Sequence, residues 1–151
     1  RARLTGLFGA AAGDWYVPPW NRIAKAAAIV LPTLGFRAVS TFGARRLDAG
    51  LAQWNASVDI MDWRNGRIGR AEGEVARDLS AALAAARNQG GRPVGILTHH
   101  LVHDPQAWTV LDALLTLANQ HPAARWIDPR ALIDAGPDAA ARYCFAAAGA
   151  P

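Results

Sequence analysis

Pro93-Val94-Gly95-Ile96-Leu97-Thr98-His99-His100-Leu101-Val102-His103-Asp104-Pro105 is the stretch on which the fold turns. Residues 93–98 form a continuous apolar run of strand length, the pattern of a strand buried on both faces of a sheet. The far end is a helix start. Asp104 is suited to accept from the free N–H groups of a first turn, and Pro105 fits the first helical position, where no N–H is needed. Residues 105–119 then carry Trp108, Leu111, Leu114, Leu115 and Ala118 at helical spacing. A buried strand, a polar link and an amphipathic helix make one unit of a parallel α/β fold.

The same alternation recurs upstream. Residues 70–88 predict a long helix with Val75, Leu79, Ala82, Leu83 and Ala86 on one face, closed by Gly90-Gly91. Residues 53–60 read as a strand ending at Asp59, followed by the turn Arg64-Asn65-Gly66-Arg67, and residues 36–41 as another strand. Residues 20–34 keep a helical period that Pro32 ends or kinks. Residues 14–17 read as a short strand stopped by Pro18-Pro19, residues 1–12 as the end of a helix, and residues 124–127 as a last short strand. From residue 14 onward the order is strand, helix, strand, strand, helix, strand, helix, strand, which predicts an α/β domain with a parallel sheet. The domain is expected to span residues 1–134, with an Ala/Gly/Pro-rich tail over 135–151.

Composition narrows the function classes. With 52% apolar and 19% charged residues the 151-residue chain can bury a core and carries no disordered tract. The net charge of +4 would allow an acidic partner, but the arginines are scattered and Arg64, Arg67 and Arg70 are followed at once by Glu72, Glu74 and Asp78. No basic stripe forms, so a nucleic-acid partner is not expected. The single cysteine, Cys144, excludes an internal disulfide and a Cys-based zinc site, and no run approaches the length of a membrane span. The compartment is left open.

In parallel α/β folds sites form at the C-terminal ends of strands. The first strand ends at Pro18-Pro19-Trp20-Asn21-Arg22, another at Asp59-Ile60-Met61-Asp62-Trp63, and the buried one at Thr98-His99-His100-Leu101-Val102-His103-Asp104, which holds three of the four histidines. Each has a plain structural reading: a strand stop at Pro18-Pro19, and a loop cap beside a core tryptophan at Asp62-Trp63. His99 and His103 are four apart, a spacing that suits a metal on a helix. The helix start at Asp104-Pro105 puts both in a loop, so His103 reads as a supporting or surface residue rather than a ligand.

These three segments resemble the last three motifs of the polysaccharide deacetylases, the NodB-like carbohydrate esterases of family four. Pro19-Trp20 looks like the third motif, Asp62-Trp63 preceded by Asp59 like the fourth, and Leu97-Thr98-His99 like the fifth. The resemblance covers roughly residues 14–133. It departs from the family pattern at Val17, where the third motif has an Arg that Arg22 would have to replace, and at Trp20, where it has a Tyr. The first two motifs, which hold the metal, have no counterpart in the chain. The resemblance implies a partial (β/α) barrel with parallel strands whose N-terminal strands are missing. Such a barrel needs roughly 250 residues, which leaves about 100 to be supplied upstream.

The resemblance further implies hydrolytic N-deacetylation of a polysaccharide or amino sugar by the intact chain, with a divalent metal, usually zinc, held by residues outside this one. In that scheme His99 is the general acid toward the departing amine, with Asp62 as its carboxylate partner. The Trp20 N–H, next to Pro19, helps hold the oxyanion. Leu97 and Trp63 wall the acetyl pocket, and Arg22, Asp59, His100 and His103 are candidates for support. Two other readings stay open. One is an inactive carbohydrate-binding relative with Trp20 and Trp63 as stacking platforms. The other is a different barrel hydrolase that binds its metal through His99, His100 or His103. A cut barrel is also expected to leave apolar surface uncovered and to self-associate.

Overall fold

The computed structural model describes residues 1–134. The expected tail, 135–151, lies outside the described residues, and so does Cys144. In chain order the elements are α1 (Ala2–Phe8), β1 (Trp15–Tyr16), α2 (Lys25–Val30), β2 (Ala38–Val39), β3 (Ala52–Gln53), β4 (Ala56–Asp59), β5 (Met61–Asp62), β6 (Ile68–Gly69), α3 (Glu72–Asn88), β7 (Gly95–Leu97), α4 (Pro105–Gln120) and α5 (Pro129–Asp134). Short 3-10 turns lie at Gly9–Ala11, Pro19–Asn21 and Leu31–Leu34.

The strands are short and mostly parallel. β1 pairs with β2 and β2 with β3, while β4 pairs with β7, all in parallel. A bridge between Phe42 and Ala56 joins the two groups, with the Ala56 N–H donating to Thr41 O at 3.0 Å and the Gly43 N–H to Ala56 O at 2.8 Å. The parallel order is therefore β1, β2, then β3 running on into β4, then β7. The fold is mixed α/β, as the alternation implied, and among the described residues the strands do not close into a barrel. β5 and β6 form an antiparallel hairpin around the turn at residues 64–67.

Helices cover the sheet on both faces. In β2, Val39 packs into a cluster with Ala28, Leu31 and Leu47, whereas its neighbour Ala38 packs with Trp54, Leu132 and Ile133. Adjacent strand residues point to opposite faces, so α2 and α5 sandwich β2. The largest cluster joins β4 and β5 to α3 and α4 through Val58, Ile60, Met61, Val75, Ala107 and Val110. α1 buries none of its residues and leaves Leu4, Leu7 and Phe8 exposed.

Three expected elements come out differently, each for a local reason. The helix expected over 20–34 is α only over Lys25–Val30. Pro32 then supplies no N–H, and the chain tightens into a 3-10 turn that ends at Gly35 in the left-handed region. The strand expected over 53–60 breaks at Trp54-Asn55. The Asn55 side chain takes over the ladder there: its Oδ1 accepts from the Thr41 N–H and hydroxyl, and its Nδ2 donates to Gly43 O and Arg45 O. Residues 124–127 form no strand, because Trp126 turns back onto α4, its indole N–H donating to Asn119 Oδ1 at 2.7 Å.

Close approach of backbone to backbone fixes two glycines. A Cβ on Gly95 would stand 2.9 Å from Ala56 Cα, and one on Gly69 would stand 2.7 Å from Ala107 Cα. Gly69 thus sets how closely the hairpin seats on α4. Gly69→Ala is expected to destabilise the protein by about 1–3 kcal/mol through overpacking. Gly6→Ala in α1, where nothing lies within 4 Å, should stabilise by up to about 1 kcal/mol through helix propensity. Urea denaturation of both variants checks this, and shifts of the same sign would contradict the packing assigned to Gly69.

Candidate functional site

All the parallel strands point the same way, so the segments that follow β1, β4 and β7 share one rim. β4 and β7 are adjacent, and the register places Asp59 beside Leu97. His99 lies two residues beyond Leu97, on the same side of the chain. Its Nε2 stands 3.1 and 3.2 Å from the two Asp59 oxygens. A register shift between Ala56 and Val58 precedes Asp59 in β4. Such a bulge re-aims the side chains that follow it, and here it leaves Asp59 facing the rim between buried Val58 and Ile60.

Asp59 is the centre of the cluster. Its Oδ1 accepts the Met61 N–H at 2.9 Å, and its Oδ2 accepts the Trp63 indole N–H at 3.0 Å. With His99 that makes three donors on one carboxylate. The Arg70 guanidinium donates to Asp59 O at 3.0 Å and pairs with Asp78 at 2.8 Å, so the backbone beneath the carboxylate is tied as well. A carboxylate only accepts, so the His99 nitrogen that faces it, Nε2, carries a proton. The other ring nitrogen, Nδ1, makes no hydrogen bond among the described residues, and the His99 side chain is 22% exposed. The Trp63 ring stands edge-on to His99, with centroids 4.6 Å apart. The arrangement is an imidazole oriented by a fixed carboxylate and walled by an aromatic ring. It can donate or accept a proton at Nδ1.

Asp62 does not make the pair with His99 expected of it; Asp59 does. Asp62 instead caps the turn after β5. Its Oδ1 accepts from the Arg64 and Asn65 N–H groups, and its Oδ2 accepts from the Asn65 side-chain amide. The loop-cap reading of Asp62 is the one the geometry bears out. The sequence signal that separates the two carboxylates is Asn65, three residues on, which suits a turn closed by Asp62.

The three histidines diverge. His99 faces Asp59, His100 is exposed, and His103 turns inward beneath the loop, its Nε2 accepting the His99 backbone N–H at 2.9 Å. Among the described residues no group of three His, Cys, Asp or Glu side chains could hold a metal ion. Asp104 caps α4 as expected, accepting the Ala107 N–H at 2.8 Å. The same oxygen also accepts the Gly69 N–H at 3.0 Å, which ties the hairpin to α4.

Pro19, Trp20 and Arg22 follow β1, which β2 and the β3–β4 segment separate from β7. Across a flat sheet that distance is about 14 Å, so this segment shares the rim with His99 without joining its cluster. Trp20 and Asn21 both have positive φ, 56° and 54°, in a turn closed by Asn21 N–H to Pro18 O and Arg22 N–H to Pro19 O. That turn does not use the Trp20 N–H, and the Trp20 ring is 79% exposed. Two consecutive non-glycine residues in the left-handed region cost of order 1–3 kcal/mol each, and such strain gathers at functional sites.

Compared with protein-family models, with curated proteins and with solved structures, the chain matches none.

The Asn65 side-chain amide, followed by the Arg64 and Asn65 N–H groups, holds the Asp62 carboxyl below the ordinary aspartate value of 3.8. The folded value is the lower one, so the cap's contribution is present above the unfolded value and is lost as pH falls through the folded one. In an amide NMR titration the Arg64 and Asn65 signals should move with a midpoint below pH 3.8. A midpoint above that value would contradict the cap.

Proposed function

We propose that the intact protein is a metal-dependent N-deacetylase of a polysaccharide or amino sugar, and that the His99–Asp59 pair at the rim is the acid half of its site. The observation that carries this reading is the pair itself. An imidazole is clamped through Nε2 to a carboxylate held by two further donors, with Nδ1 not engaged by any described residue and an aromatic wall beside it. The neighbour order of the parallel strands supports the companion proposal that they are part of a (β/α) barrel of the NodB-like kind. The resemblance of Pro19-Trp20, Asp59 to Trp63 and Leu97-Thr98-His99 to three motifs of that family points the same way.

Water adds to the acetamide carbonyl, the C–N bond breaks, and acetate and a free amine leave. The water loses a proton as it adds, and the departing nitrogen needs one. Doubly protonated His99 is placed to give it from Nδ1, and the proton released by the water restores the imidazolium, while Asp59 keeps the ring in orientation. The Trp20 N–H is unused by its own turn, but it lies about 14 Å across the sheet from His99, so it would reach the oxyanion only where the curvature of a barrel brings the two strand ends together. Trp63 and Leu97 beside His99 suit a small acyl group, and exposed Trp20 suits stacking on a sugar face. A metal would polarise the carbonyl and activate the water when bound. The described residues do not fit one, so its ligands would be supplied elsewhere in the intact protein.

The exposed Trp20 also favours a second reading, a carbohydrate-binding domain without catalysis. One assay separates the two: acetate release from an N-acetylglucosamine oligomer by the intact protein with zinc present. His99→Ala should lower turnover by about 10²–10⁴-fold. Asp59→Asn should lower it too, and Asp62→Asn far less. Turnover indifferent to His99→Ala would sink the acid role, and sugar binding without acetate release would leave the binding-domain reading.

A further inference from the structure

The loop from His99 to His103 has no reason in burial to turn as it does. Its tip leaves Leu101 88% exposed and Val102 46% exposed. What the turn achieves is to carry His103 back beneath His99. The Val102 N–H donates to His99 O at 2.8 Å, and the His99 N–H donates to His103 Nε2 at 2.9 Å. The His99 backbone is thus gripped at both its polar atoms by the loop that follows it. On the far side the Trp108 ring of α4 stands edge-on to His103, with centroids 4.6 Å apart. Asp104, the next residue, is locked to α4 and to the hairpin.

The hydrogen bond also fixes where the His103 proton sits. A nitrogen that accepts a backbone N–H carries no proton, so neutral His103 is protonated on Nδ1. Nδ1 is buried and has no hydrogen-bond partner among the described residues. A second proton would have to displace the His99 N–H from Nε2 and bring charge into a site without a paired acceptor. Burial first, then the charges of His99 and His100, push the His103 imidazole below its ordinary value. Asp104 and Asp59 pull weakly the other way.

We infer that His103 is a positioning residue for His99: an imidazole whose Nε2 accepts the His99 N–H and holds the His99 backbone so that the His99 ring meets Asp59. The inference rests on the proposed role of His99, but the geometry on which it stands does not. A cationic or ligating role for His103 is incompatible with this bond, because either would need the lone pair that the His99 N–H occupies.

The test uses the intact protein labelled with ¹⁵N. Two-bond ¹H–¹⁵N spectra read the tautomer of each histidine, and the expected result is His103 protonated on Nδ1 alone across neutral pH. Two variants accompany it. His103→Leu removes the acceptor, and the His99 amide and ring signals should both shift. His103→Gln offers a carbonyl oxygen to the same N–H and should return them toward the parent positions. In the acetate assay His103→Leu should lower kcat on the order of 10²-fold with KM little changed, as misplacement of a reacting group does, and His103→Gln should recover part of the loss. A His103 protonated on Nε2 or charged at neutral pH would overturn the inference. So would a folded His103→Leu whose His99 signals do not move. If the parent protein releases no acetate, the deacetylase reading fails while the tautomer spectra still decide this one. If His103→Leu does not fold, the parent tautomer and the His103→Gln spectra decide it.

Discussion

One carboxylate with three N–H donors organises the rim of this protein. Asp59 takes a backbone N–H from Met61, an indole N–H from Trp63 and a ring N–H from His99, two donors from the residues just after it and one from the loop after β7. A buried or half-buried carboxylate is tolerated only when its oxygens are satisfied. The Asp59 position therefore constrains β5, the Trp63 ring and the loop after β7 together. The bulge in β4 and the close approach of Gly95 to Ala56 are the backbone features that deliver Asp59 to that point.

A second layer of polar contacts holds the first. Arg70 ties the Asp59 carbonyl and balances its charge against Asp78, two turns into α3. Asp104 joins the N-terminus of α4 to Gly69 in the hairpin, and His103 joins the same loop to the His99 backbone. Both helices that pack under β4 thus also contribute a polar contact to the site above it. Apolar packing through Val58, Ile60, Val75 and Val110 makes the two layers rigid with respect to each other.

Long elements with strong local signals were legible in the sequence. The helix around Val75 and Leu79 and the helix capped by Asp104-Pro105 appear within two residues of their expected bounds, since periodicity and capping act locally. The rim segments were legible too, because strand ends are where polar residues cluster in a parallel sheet. What was not legible depends on distant partners. Asn55 breaks a strand because it meets Thr41, Gly43 and Arg45, and no local rule reports that. Trp126 leaves the expected strand for Asn119 on α4. The bulge between Ala56 and Val58 that aims Asp59 at His99 is a property of two paired strands and was not legible, whereas Asn65 three residues after Asp62 was the local sign that Asp62 closes a turn.

In the proposed site Asp59 orients His99 through Nε2 and leaves Nδ1 as the working nitrogen. Neutron diffraction from crystals of the intact protein, at a pH where an imidazole is neutral, reads this directly. The expected map places the ring hydrogen of His99 on Nε2, directed at Asp59, with Nδ1 bare and facing the rim. A hydrogen on Nδ1 with Nε2 bare, or a ring turned from Asp59 toward Asp62, would contradict it.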